Sequence, residues 1–267
     1  MIELLVVIAI IGILAALLLP ALTRARQKAQ GVFCQSNQHQ LMIAWQMYSD
    51  DYNGRLVLNP VSGQYNGTIA PWVLGWQDWG LSSENTNVAL LTNPSYAKLA
   101  PYTAKTSLLY KCPADTYLSP VQRAAGWKMR VRSYSMNQFM GAEGQAGGDQ
   151  YSRNYLKQTD LLRPGPSMLW VTLDEQADSM NSSFFTIAMW ITDHALFSDL
   201  PAAYHGGSGC LGFADGHAEL HHWIGPGVKL PVRYGDAMHY PTGWVESSNP
   251  LDVSDFQWFR QRTSAAP

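Results

Sequence analysis

The chain has 267 residues, more than one ordinary core needs, although a long extended element can absorb residues without adding a second core. Charged residues make up only 14%, against about a quarter in soluble domains, and ten Trp and thirteen Tyr add an aromatic surplus, which favours an extracellular or assembled protein over a cytosolic enzyme. A net charge of −2 leaves no basic footprint for nucleic acid, and the separated cysteines Cys34, Cys112 and Cys210 spell neither a zinc knuckle nor a thioredoxin-type site.

The first element is MIELLVVIAIIGILAALLLPAL, apolar without a break from Leu4 to Leu19, with Glu3 as the only charge before Arg24. That run approaches the ~20 residues a helix needs to cross a bilayer. It lacks the basic n-region of a cleaved signal and is longer than a signal's apolar stretch. A generic anchor accounts for the hydrophobicity but not for a carboxylate at position three, which costs free energy near the bilayer interior and asks for a partner.

After Pro20 the pattern turns amphipathic. Ala25, Ala29, Val32, Phe33, Leu41, Ala44, Trp45, Tyr48 and Tyr52 read as one stripe, with Arg26, Gln30, Gln38 and Asp50 opposite and Asn53-Gly54 as the stop. Residues 2–52 as one helix span about 76 Å at about 1.5 Å per residue. A helix apolar all round in its first half cannot be buried by one small domain. Other copies, or lipid, must cover it.

The N-terminal stretch resembles type IV pilins and type II secretion pseudopilins, whose signature Gly-Phe-Thr-Leu-Ile-Glu runs into just such a helix. Ile2, Glu3, LLVVIAIIGILAA and Pro20 carry the likeness. The resemblance implies an α+β, pilin-like fold: residues 1–53 a long helix (1–22 membrane and filament core, 23–53 amphipathic half) packed on an antiparallel β-sheet head at 54–267. It also implies cleavage and methylation by a prepilin peptidase, assembly through Glu3 and Pro20, and a filament core of Ile2, Leu4, Leu5, Val6, Val7, Ile8, Ile10, Ile11, Ile13, Leu14, Leu17 and Leu18. The subunit would sit in the inner membrane and then join a helical homopolymer, as an extracellular filament or a periplasmic pseudopilus, with pilus or secretion machinery as its other partner. Met1 stands where the signature has leucine, and Gly-Phe-Thr and a basic leader are not in the sequence, which reads as a truncated chain or a misassigned start. Arg24, Arg26 and Lys28 lie on the side that the positive-inside rule assigns to the cytoplasm, opposite to what a pilin needs.

From Arg55 onward, short strand-like runs alternate with turn-rich stretches such as NPVSGQYNG, LGWQDWG and RPGPS. NTNVALLTNPSYAKLAPYTA suggests one short helix, and Ser167 to Leu173 a buried strand. The phrases CQSNQHQL, PWVLGW, LAPY, YKCPAD and RSYSMN extend the resemblance to a bacterial subgroup of pilin-like proteins with an H-X9-DG motif near the C-terminus. Cys34 and Cys112 are candidates for a helix-to-head disulfide if the head is exported; as buried thiols they would simply fill space.

Five of the seven histidines fall between His194 and His222. LGFADGHAELHHW reads as two strands joined by an Asp-Gly turn, placing His217, Glu219 and His221 on one face. No H-E-x-x-H helix, G-x-S-x-G elbow or phosphate loop accompanies them, and the chain is read as non-enzymatic. His205, nine further residues and then Asp215-Gly216 reproduce the H-X9-DG spacing. There Gly216 takes positive φ, and His205 is expected to bond across to the Asp215 carboxylate or to backbone. No cofactor is required. Some resembling heads bind calcium in a loop near the C-terminus, which makes Asp193, Asp199 and Asp215 calcium candidates by likeness, although no D-x-D-x-D run gathers oxygens locally. The competing class of function is a membrane-anchored periplasmic metal-binding protein or enzyme built on the histidine cluster. The tail is expected to pack a final segment on the head or to touch a neighbouring subunit, with its last residues loose.

Overall fold

The computed structural model describes residues 2–59, 70–142, 152–235 and 245–266, and omits the side chains of Ile2, Glu3 and Leu5. Most of the NPVSGQYNG turn and the first part of the tail lie outside these ranges. Helix α1 (Ile2–Asp51) runs through Pro20 without a break. At about 1.5 Å per residue it is about 75 Å long. It stops where the sequence predicts: Asn53 and Gly54 take left-handed φ of 55° and 77°, and Gly54 N donates to Ser49 O at 2.8 Å, the 6→1 bond of a Schellman cap.

The head is built on β1 (Tyr134–Asn137), β2 (Trp170–Asp174), β3 (Phe184–Phe185), β5 (Ser208–Phe213) and β6 (Ala218–His222), in the order β3-β1-β2-β5-β6. A two-stranded sheet pairs β4 (Ala195–Phe197) with β7 (Val245–Ser247), and helix α4 (Pro250–Arg260) packs on β4. Short helices α2 (Ala89–Thr92) and α3 (Pro120–Ala124) sit in the connecting loops. The fold is thus α+β. The main sheet, however, is mixed and not antiparallel throughout, because β3 pairs parallel to β1. The chain leaves β1, returns antiparallel through β2 and comes back on the far side of β1, where the third pass must run in the first direction.

Strands β1, β2 and β5 are buried at every position, so the centre of the sheet is covered on both faces. A register shift lies between Trp170 and Thr172. Thr172 Oγ1 donates to Gln38 of α1, whereas Trp170 stacks on Phe259 of α4 with ring centroids 5.0 Å apart. A bulge re-aims side chains in this way. Gly212 of β5 seats the helix: a Cβ there would lie 2.8 Å from Met42 Cγ.

The amphipathic stripe resolves into two faces. Leu41, Ala44, Trp45 and Tyr48 are buried against the head, joined by Cys34 and by Gln38, which the pattern had assigned to the opposite side and which is 0% exposed. Val32 and Phe33 are 64% and 67% exposed, and Ala25, Ala29 and Tyr52 face outward too. With about 3.6 residues per turn, Ala25, Ala29 and Val32 lie roughly half a turn from Cys34, Leu41 and Trp45. Gln38 is accepted inside because its Oε1 has the Thr172 hydroxyl.

Ser264 and Ala265 are packed where looseness was expected. Ser264 Oγ donates to Arg153 O at 2.8 Å and Ala265 N to Tyr155 Oη at 3.0 Å. Upstream, Asp255 and Asp252 of α4 accept from the backbone N–H groups of Ile224, Gly225 and Gly227.

Candidate functional site: a bare helix and a buried Cys/Asp/His cluster

Two features stand out. The first is the free half of α1, where every described side chain from Leu4 to Arg26 is exposed. Its most apolar 18-residue window has a mean hydropathy of 2.8 and is 0% buried. Of the filament-core residues, Leu4, Val6, Val7, Ile8, Ile10, Ile11, Ile13, Leu14, Leu17 and Leu18 are all exposed large apolar groups. A bare apolar surface of this extent calls for lipid or protein to cover it.

The second lies where α1 meets the head. Cys34 comes from the helix, Cys112 from the loop before α3, Asp174 from the end of β2 and His205 from the loop before β5; all four are buried. Their donor atoms all lie within 4.8 Å of one another. Cys112 Sγ is 3.4 Å from His205 Nε2, His205 Nε2 is 3.4 Å from Asp174 Oδ2, and Cys34 Sγ is 3.7 Å from Asp174 Oδ2. The three cysteines are reduced in this structure.

Each member is placed by local chemistry. The Cys112 loop is tied to α1 by Gln30 Nε2 donating to Pro113 O at 3.1 Å and Asn37 Nδ2 to Lys111 O at 3.1 Å. On either side of Cys112, Lys111 Nζ pairs with Asp115 Oδ2 at 2.6 Å in the interior. His205 is held by a tight turn in which Gly206 and Gly207 take φ of 68° and 91°, conformations glycine adopts without strain. Gly31 of α1 faces that turn; a Cβ there would lie 3.6 Å from His205 Cβ. Asp174 Oδ1 accepts from Cys210 N at 2.6 Å, which leaves Oδ2 for the cluster. Tyr134 Oη lies 3.2 Å from Cys34 Sγ.

Burial pushes the Cys34 and Cys112 thiols well up, so both stay protonated unless a cation displaces the protons. Burial works downward on His205, but its hydrogen bonds to Asp174 and Cys112 outweigh it and push the imidazole up to about 10.

The residues singled out in the sequence separate. Cys34, Cys112 and His205 converge. Asp215 does not meet His205: its Oδ1 accepts from His217 N at 3.1 Å, while Gly216, at φ 98°, offers its carbonyl to His39 Nδ1 at 2.7 Å. The two ends of the H-X9-DG motif therefore do different work, the turn docking on α1 and the histidine entering the cluster. Asp193 bonds the neighbouring His194, and Asp199, buried, accepts from Thr186 N at 2.6 Å. Among the described residues, the only convergent group of His, Cys, Asp or Glu donors is Cys34, Cys112, Asp174 and His205, so none of the three calcium candidates belongs to it. Asp174, Cys210 and Tyr134 were missed from sequence; the available signal was a carboxylate closing the apolar run SMLWVTL.

Among the described residues, the histidines of the predicted ladder join no metal-binding group. His217 stacks on Phe213, and His221 stacks on Trp258 with centroids 3.5 Å apart. Burial first, then Arg262 and His222, push His221 down to about 4. Between about pH 6.5 and 4 the unfolded chain therefore binds a proton that the native head refuses, and stability falls as pH falls through that window. The shift is worth about 3 kcal/mol at face value, and solvent screening of this half-exposed ring reduces it to about 1–2 kcal/mol. His221→Phe keeps the stack and is expected to flatten the stability slope between pH 6.5 and 4 by that amount. Urea midpoints at stepped pH measure it, and an unchanged slope would remove His221 as the cause.

Comparison of the chain with family models, with curated proteins and with solved structures finds no match, so its function is read from its own residues.

Proposed function

We propose that this chain is a structural subunit of a type IV pilus-like filament, anchored in the inner membrane by α1 before it polymerises through the same helix. The observation that carries the reading is the bare apolar half of α1, continuous with a second half that seats the head. One span, about the thickness of a bilayer core, serves in lipid. The same surface, all apolar but for Glu3 in its first 22 residues, can pack against copies of itself once it leaves the membrane. The exposed outer stripe of Ala25, Ala29, Val32 and Phe33 continues that surface toward the head.

Processing by a prepilin peptidase and handling by assembly machinery follow from the N-terminal likeness. A periplasmic pseudopilus of a type II secretion system is the same proposal with a different exit. Microscopy of material sheared from producing cells, with peptide mapping of any filaments, tests it. Filaments built from this chain are expected. A chain recovered only as a detergent-soluble monomer, in cells whose filament machinery is active on another subunit, counts against it.

A further inference from the structure

We propose that Cys34, Cys112, Asp174 and His205 form a closed tetrahedral site for one borderline-soft divalent cation of the zinc class, which fastens the N-terminal helix to the head.

The geometry carries this. Zinc bonds of about 2.3 Å to sulfur and 2.0–2.1 Å to nitrogen and oxygen define a tetrahedron with edges of about 3.5 Å for S···N, 3.6 Å for S···O and 3.4 Å for N···O. The corresponding separations are 3.4 Å from Cys112 to His205, 3.7 Å from Cys34 to Asp174 and 3.4 Å from His205 to Asp174. Three edges of the figure are already formed to within about 0.2 Å, inside the tolerance for a metal site.

The surroundings suit thiolate ligation. Cys210 N–H holds Asp174 Oδ1, orienting the carboxylate so that its other oxygen faces the cluster. Tyr134 Oη is in reach of Cys34 Sγ and can donate to a thiolate there. Such outer partners orient ligands and tune the ion. His205 Nδ1 has no partner among the described residues, so the ring is set by its Nε2 side. Two sulfurs and an imidazole select zinc-class ions over calcium or magnesium, which take oxygen. Four protein ligands complete the tetrahedron and leave no place for water, the pattern of a structural ion. Binding displaces the Cys34 and Cys112 protons, and that of His205 where it is protonated, to solvent.

The consequence is mechanical. One ligand lies on α1 and the other three on separate segments of the head, so an ion here resists the helix being drawn away from the head.

The test uses the full chain, purified in mild detergent with a reductant and equilibrated with buffered Zn²⁺. Elemental analysis is expected to give about one zinc per chain. Cys112→Ser and Asp174→Asn should each weaken zinc binding at least about tenfold, while Asp215→Asn, outside the cluster, should leave it unchanged. Near-UV circular dichroism identifies any variant that has lost its fold. Titration of the parent chain with Co²⁺ gives an independent readout: the intense visible absorption of tetrahedral, thiolate-bound cobalt. A folded parent that holds less than about a tenth of an equivalent of zinc and gives no such spectrum overturns the proposal. So does a Cys34–Cys112 disulfide in chain isolated without reductant. None of these results depends on whether the chain polymerises.

Discussion

Glu3→Ala is expected to reduce assembled filament at least tenfold while leaving the head's stability unchanged. Glu3 is the only charge in the first 22 residues. On insertion scales an unpaired acidic residue at the centre of a bilayer costs about 2.5–3.5 kcal/mol, and less toward the interface. A carboxylate kept at that cost needs a cationic partner in the assembled state, and in the proposed filament this is the N-terminal amine of a neighbouring subunit. In the proposed filament, packing of Leu4, Ile8 and Ile11 would supply attraction along the core but not set the stagger between copies, whereas an ion pair in a low-dielectric core would. Removing the charge therefore leaves a well-anchored chain with no defined register. Quantifying the chain in sheared and membrane fractions measures the effect, with urea midpoints of the head as control. Filament at parental levels would sink the assigned role of Glu3.

Trp45→Ala is expected to cost the head about 3–5 kcal/mol, the range for deleting a large aromatic from a packed core. Trp45 is 1% exposed and belongs to the same buried cluster as Leu41, Met42, Tyr134 and Trp170. Trp45→Phe separates packing from polarity. The indole Nε1 has no hydrogen-bond partner among the described residues, so phenylalanine sacrifices volume but no bond seen there. Its cost should be clearly smaller than that of alanine, because most of the aromatic ring is retained. Chemical denaturation of the detergent-solubilised chain, followed by near-UV circular dichroism, measures both. Equal losses for the two variants would mean that a single six-membered ring cannot stand in for the indole's packing at this position.

Four of the five short phrases of the sequence find a common place in the fold. In CQSNQHQL, Cys34 enters the cluster, Gln35 donates to Ala218 O, Gln38 accepts from Thr172 and His39 meets Gly216 O. YKCPAD supplies Cys112 between a buried lysine and aspartate, and RSYSMN supplies Tyr134 beside Cys34. LAPY ends on Tyr102, whose hydroxyl donates to Asp51 at the foot of α1. These stretches hold the junction of helix and head, which explains why none of them read as a catalytic motif.

The sequence alone determined the features governed by neighbours along the chain. An apolar run without charges makes the free half of α1, Asn53-Gly54 ends it, and Asp215-Gly216 turns β5 into β6, because backbone preference and side-chain period act over a few residues. Tertiary structure decided which face of the second half meets the head. Apolar residues occur all round that stretch, and the positions of Gly212, Thr172 and Tyr134 favour Met42, Gln38 and Cys34 over Val32 and Phe33. It also decided the parallel pairing of β3 with β1 and the convergence of Cys34, Cys112, Asp174 and His205. Those four lie far apart in the chain, and no spacing rule links them until the sheet, the helix and two loops have packed.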